Sequence, residues 1–168
     1  MILFLHGRSL RGNDLEMVKR YGPPAFLDQK PDFPFVVVSP QLPAHSWPSD
    51  SLLKLLNEVI RKYRVDPGRI YLSGVSMGGG ASWHLAAADQ KRFAAMIPLC
   101  GYGGTTLVPK LTDLPIWAFH GEIDKVTPLG PHLRLVEAVQ KAGGTAKMTV
   151  IPDLPTASRS TFLRIASR

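Results

Sequence analysis

The sequence predicts an α/β protein of three layers, a mostly parallel six-stranded sheet flanked by helices. Three observations predict it. Apolar, β-branched runs alternate with amphipathic helical segments along the chain. A Gly74-Val75-Ser76-Met77-Gly78 turn stands between a strand run and a helical run. His6-Gly7, Ser76 and Asp124 each follow a strand, and a parallel sheet brings such positions to one edge.

Each element has its own signal. Residues 2–5 are a short apolar strand ended by His6-Gly7. Residues 14–21 have helical spacing (Leu15, Val18) and stop at Gly22-Pro23-Pro24. Residues 35–39 form a β-branched second strand, and the breaker-rich residues 40–48 form a loop. In residues 50–63, Leu52, Leu53, Leu55, Leu56, Val59 and Ile60 cluster on one side, which predicts an amphipathic helix. Asp66-Pro67-Gly68 is a turn into a third strand, 69–73, and the Ser76 turn leads to a helix over 79–88. Strands at 94–99 and 116–119, a helix over 131–142 stopped by Gly143-Gly144, and a strand at 146–151 complete the pattern.

With 168 residues, 45% of them hydrophobic, the chain fits one globular domain, expected over 1–152. Residues 153–168 read as a Ser/Thr/Arg-rich tail, with a short helix expected over 160–166. No apolar run is long enough to span a membrane. Residues 1–6 are too short and insufficiently basic for a signal peptide, and a longer parent could carry one, so the compartment stays open between cytoplasmic and secreted. The net charge is +7, and the basic residues are scattered without interleaved aromatics, which argues against a nucleic-acid partner. The single cysteine, Cys100, ends an apolar strand and reads as a buried thiol.

The chemistry centres on Ser76. G-x-S-x-G between a strand and a helix is a nucleophile elbow, which raises a serine above the sheet edge. A serine there needs donors for the oxyanion and a base for its proton. The Met77 backbone N–H and that of Arg8 or Ser9 are the expected donors. Asp124, just past the fifth strand, is the expected acid, with Glu122 the poorer alternative. Only His132 follows Asp124 in the chain, so it is the candidate base, although it opens a helix. His6, His45 and Trp47 are expected to border the substrate pocket. No metal-ligand cluster and no phosphate loop is present, so no cofactor is implied.

At these residues the chain resembles the α/β-hydrolase superfamily, in its phospholipase/carboxylesterase-like branch related to predicted peptidases and dienelactone hydrolases. The stretches that carry the resemblance are residues 3–7 (LFLHG), 11–14 (RGND), 37–41 (VVSPQ), 69–79 (RIYLSGVSMGG), 119–121 (FHG) with Asp124, and 136–144. The resemblance covers about residues 2–152 and implies a strand order of 2-1-3-4-5-6. It implies a carboxylic-ester hydrolase acting on small or short-chain esters. The departures are also specific. The family's first two strands have no counterpart. Gly7-Arg8-Ser9-Leu10-Arg11-Gly12 stands where Gly-x-Gly-Glu-Arg-Gly is common. The family's Gly-His loop and final helix would follow the sixth strand, where this chain has Asp153-Leu154-Pro155-Thr156. The expectation is a chain shortened at both ends, with the usual base missing and residues 35–39 left as a bare edge suited to homodimerisation. The alternative is a catalytically impaired, hydrolase-like module that binds ligands.

Overall fold

The computed structural model describes residues 1–155. Six strands lie in the order β2-β1-β3-β4-β5-β6, as expected. They are β1 (Ile2–Leu5), β2 (Val37–Val38), β3 (Tyr71–Val75), β4 (Ala95–Leu99), β5 (Ile116–Gly121) and β6 (Ala146–Ile151). All neighbouring strands are parallel, with Leu5 opposite Gly74, Val75 opposite Leu99, and Gly121 opposite Ile151. The helices are α1 (Pro24–Leu27), α2 (Ser49–Lys62), α3 (Met77–Ala88) and α4 (Leu129–Lys141).

The three layers are unequal. Alternate residues of each strand point to opposite faces. Leu3, Leu5, Leu72, Met96, Ile116 and Ala118 join one large core with the apolar faces of α2, α3 and α4. Right-handed crossovers explain this, because β2 to β3, β3 to β4 and β5 to β6 all step the same way along the sheet. The β1-to-β2 connection steps the other way, and it crosses the opposite face. There, Phe4, Val75, Leu99, Phe119, Ile151 and Leu154 form a smaller cluster with Tyr21 against it. Ile97 and Trp117 remain partly exposed on that face, with the Lys147 ammonium 4.5 Å from the Trp117 ring.

Several boundaries differ from the sequence reading. Residues 14–21 form a 3₁₀ helix, Leu15–Arg20, rather than an α-helix, and Asp14 caps it by accepting from the Glu16 N–H at 3.1 Å. Residues 35–39 supply only a two-residue edge strand between Pro34 and Pro40. An edge strand is paired on one side only, and Phe35 and Val36 stay exposed. β3 and β5 each run two residues further than expected, and α3 begins at Met77. Leu154, assigned to the tail on sequence, is buried in the smaller cluster, and its carbonyl accepts from the Ile123 N–H at 3.3 Å. Core packing therefore runs past residue 152. The short helix expected over 160–166 lies outside the described residues.

Candidate active site

Ser76 sits between β3 and α3 at φ 54, ψ −116. That conformation is unfavourable for a residue with a Cβ, at a cost of about 1–3 kcal/mol. The surroundings enforce it. The Ser76 N–H donates to the Leu99 carbonyl at 2.8 Å, and the Ser76 carbonyl accepts from the Gly80 N–H at 2.9 Å. Close packing under the turn requires Gly78, because a Cβ there would fall on the Leu5 carbonyl. Cys100, buried at φ 48, and then Gly101 carry the chain out of β4 directly against Ser76 and α3.

An open groove of about 350 Å³ surrounds Ser76, lined by Met77, Gly80, Gly101, Tyr102, Val126 and Thr127. Ser76 is half-buried, while Val126 is well exposed at the rim. Met77 opens α3, and Arg8 and Ser9 open the 3₁₀ turn after β1. Helix-initial N–H groups lack an intrahelical partner, so they suit an incoming anion.

The expected pocket residues play other parts. His6 is 2% exposed, with both ring nitrogens engaged. Its Nε2 accepts from the Leu42 N–H at 3.0 Å, so Nδ1 carries the proton and donates to the Gly7 carbonyl at 2.7 Å. Trp47 packs edge-on against that ring, with centroids 4.8 Å apart, and its indole N–H donates to the His6 carbonyl at 3.2 Å. His45 is exposed and takes a 2.6 Å bond from Arg11 at Nδ1. These residues brace the loop after β1 and leave the groove walls to Tyr102, Val126 and Thr127. A residue's number of bonds cannot be read from its type, and these wall residues follow β4 and β5 without any motif of their own.

Asp124 is buried just beyond β5. Its Oδ1 accepts from the Val126 and Thr127 N–H groups at 2.9 and 2.8 Å, which folds the loop at the rim. His120 lies beneath, with Nε2 3.9 Å from Asp124 Oδ2. His120 Nε2 donates to the Thr127 carbonyl at 2.7 Å, so its Nδ1 accepts from His132 Nδ1–H at 2.8 Å. His132 is fully buried on α4, edge-on to Trp83 with centroids 5.7 Å apart.

This corrects the expectation for His132. It is a core histidine, shut off from solvent and committed to His120. No imidazole hydrogen-bonds to Ser76 among the described residues. Burial, then the neighbouring His120, lowers the His132 pKa from 6.5 to about 3. Burial is also the main cause of the lowered pKa values of His120 and His6. The unfolded chain therefore binds more protons than the folded one in the window between about 3 and 6.5. The stability from burying neutral His132 is full above 6.5 and is lost as pH falls toward 3. Urea midpoints should drop steadily from about pH 7 to pH 4.5, and His132→Met should flatten the slope. An equal slope in the variant would count against this account.

The architecture defines the class: the chain has the α/β-hydrolase fold, and its structural neighbours include esterases. No protein-family model matches it. A thermostable esterase superposes with a TM-score of 0.81 at 30% identity, covering 90% of this chain and 46% of that one. A ferulic acid esterase at 15% identity and TM-score 0.75, covering 98% of this chain and 81% of that one, shows the fold alone. In sequence, the chain is 32% identical over 83 residues to acyl-protein thioesterase 1 homolog 2 of Dictyostelium discoideum, matching 46% of this chain and 37% of that protein. It is 30% identical over 73 residues, 44% of this chain, to a bifunctional acetylxylan esterase/xylanase of Neocallimastix patriciarum, where the match spans 11% of the relative. The chain thus spans less than half the length of these two relatives and of the thermostable esterase.

Proposed function

We propose that this chain is a serine hydrolase of small or short-chain carboxylic esters. The observation that carries the reading is Ser76 itself, a half-buried serine held at φ 54 on a strand-to-helix turn beside an open groove. A nucleophile elbow takes this form, which supports the reading. Strain of this kind persists where surrounding structure enforces it, and it clusters at functional sites.

Ser76 Oγ attacks the acyl carbonyl carbon, and the C=O electron pair moves onto oxygen. The Met77 N–H and that of Arg8 or Ser9 hold the oxyanion. The C–O bond to the alcohol then breaks, leaving an acyl-Ser76 ester that water hydrolyses. Asp124 is the acid, fixed at the rim by two backbone N–H bonds. The serine proton leaves to a base outside the described imidazoles, either water or an imidazole of a second copy. Sites lacking one member of a triad keep about 10³–10⁴-fold catalysis over water. Activated esters, whose leaving groups need no proton, are therefore the substrates on which turnover should be measurable.

The lack of an imidazole on Ser76 among the described residues supports one other reading, a hydrolase-like module that binds without turnover. Hydrolysis of p-nitrophenyl acetate by wild type and Ser76→Ala separates the two, since equal rates would remove the nucleophile role. A homodimer through the β2 edge completes the proposal, because Phe35 and Val36 are exposed there. Light scattering should give about twice 18.4 kDa, falling to a single chain in Val36→Lys. A monomeric wild type would refute the pairing.

A further inference from the structure

We infer that Tyr21 is a positioning residue for the oxyanion loop: its hydroxyl holds the Gly7 N–H at 2.8 Å and the Ser9 side chain, fixing the backbone that leads from Gly7, which lies against Ser76, into Arg8 and Ser9. The inference rests on the ester-hydrolase reading of Ser76.

The loop lies directly against the elbow. A Cβ built on Gly7 would stand 3.4 Å from Ser76 Cβ and 3.2 Å from the Val75 carbonyl oxygen. A shift of Gly7 is therefore a shift of the donors relative to the nucleophile. Gly7 is extended, at φ −79 and ψ 178, and the 3₁₀ turn Arg8–Leu10 starts immediately after it. Both backbone polar groups of Gly7 are held by side chains. Its carbonyl accepts from the neighbouring His6 Nδ1, and its N–H donates to Tyr21. The two peptide planes that set the direction of the turn are each held by a hydrogen bond.

Packing alone does not do this. Arg8 and Ser9 are exposed, and a cavity of about 510 Å³ lined by Ser9, Leu10, Lys19, Arg20 and Tyr21 lies beside the loop. A loop bordering open space is held by hydrogen bonds, and the Tyr21 hydroxyl supplies the one at the Gly7 N–H. The phenol is itself anchored. Its ring rests on the cluster of Phe4, Val75, Leu99 and Phe119. The next residue, Gly22, has φ 74 and lies so close to the Phe4 ring that a Cβ would come within 2.5 Å of it. Burial raises the Tyr21 pKa, so the hydroxyl stays protonated. It can then accept from Gly7 while donating to Ser9.

Tyr21→Phe keeps the ring and removes the hydroxyl. On p-nitrophenyl acetate, kcat should fall about tenfold with KM unchanged, because donor alignment acts in the transition state. Hydrogen exchange at the Gly7 amide, followed by NMR, should accelerate in the same variant. Circular dichroism and the melting temperature check that it folds. An unchanged kcat in a folded Tyr21→Phe protein overturns the positioning role, and so does a loss that disappears on assaying well below its melting temperature. If Tyr21→Phe does not fold, Ser9→Ala serves instead. It removes the hydroxyl's second partner and should lower kcat a few-fold at constant KM, while an unchanged kcat again overturns the role. Ser76→Ala distinguishes the two failures. If it hydrolyses ester as fast as wild type, the nucleophile falls and the Tyr21 role falls with it. If it is inactive while Tyr21→Phe is unimpaired, only the Tyr21 role falls.

Discussion

Ser76→Ala is expected to remove the acyl-enzyme formed on p-nitrophenyl acetate and to lower kcat/KM several-fold. The size of the loss follows from the assignment. Without Oγ no acyl intermediate forms, and the oxyanion donors act only on attack by water. A second arm tests the proton's destination. No imidazole bonds to Ser76 among the described residues, so imidazole added to the buffer should act as the missing base. It should accelerate the wild-type protein well beyond its background reaction with the ester and leave Ser76→Ala at background. An equal imidazole response in the two proteins would sink the idea that Ser76 waits for a base. The rescue should be weaker on an alkyl ester, whose leaving group needs a proton that no described side chain is placed to deliver.

The second large effect is on stability. Gly78→Ala should destabilise the protein by about 3 kcal/mol or more, read as a lower urea midpoint. The added Cβ would land on the Leu5 carbonyl and come within 2.7 Å of the His6 oxygen. To make room, α3 must lift from β1, and that also moves Ser76 away from the loop after β1. Activity should therefore fall even at temperatures where the variant stays folded. Gly130→Ala is the control. Its Cβ would meet only the end of the Arg134 side chain at 3.4 Å, so its stability should change by less than about 1 kcal/mol. Similar losses in both variants would show that close packing under the elbow is not the cause.

Much of this molecule was legible before folding. Parallel pairing and the placement of Ser76 and Asp124 after strands follow from hydrophobic period and handedness, which are local or general rules, and the strand order is what the family resemblance implies. The errors cluster where a neighbour decides. Residues 35–39 look like a full strand by composition, but an edge strand has one partner, and only Val37–Val38 pair. Residues 14–21 have helical spacing, but the segment must deliver Tyr21 to the loop, and it winds as a 3₁₀ helix.

The histidines divide the two kinds of information most clearly. The sequence lists His6, His45, His120 and His132 and orders them along the chain relative to Ser76 and Asp124. It carries no measure of burial or of which ring nitrogen has a partner. Folding buries His120 and His132 against each other beneath Asp124 and ties His6 to Leu42 and Gly7. Tyr21 carries no motif, and its contact with Gly7 spans fourteen residues. The Ser76 turn is legible as a five-residue pattern, although Gly78 answers the distant Leu5 carbonyl and only Gly74 answers contacts within the turn. The roles of the imidazoles and of Tyr21 depend on distances between segments far apart in the chain, and only packing sets those.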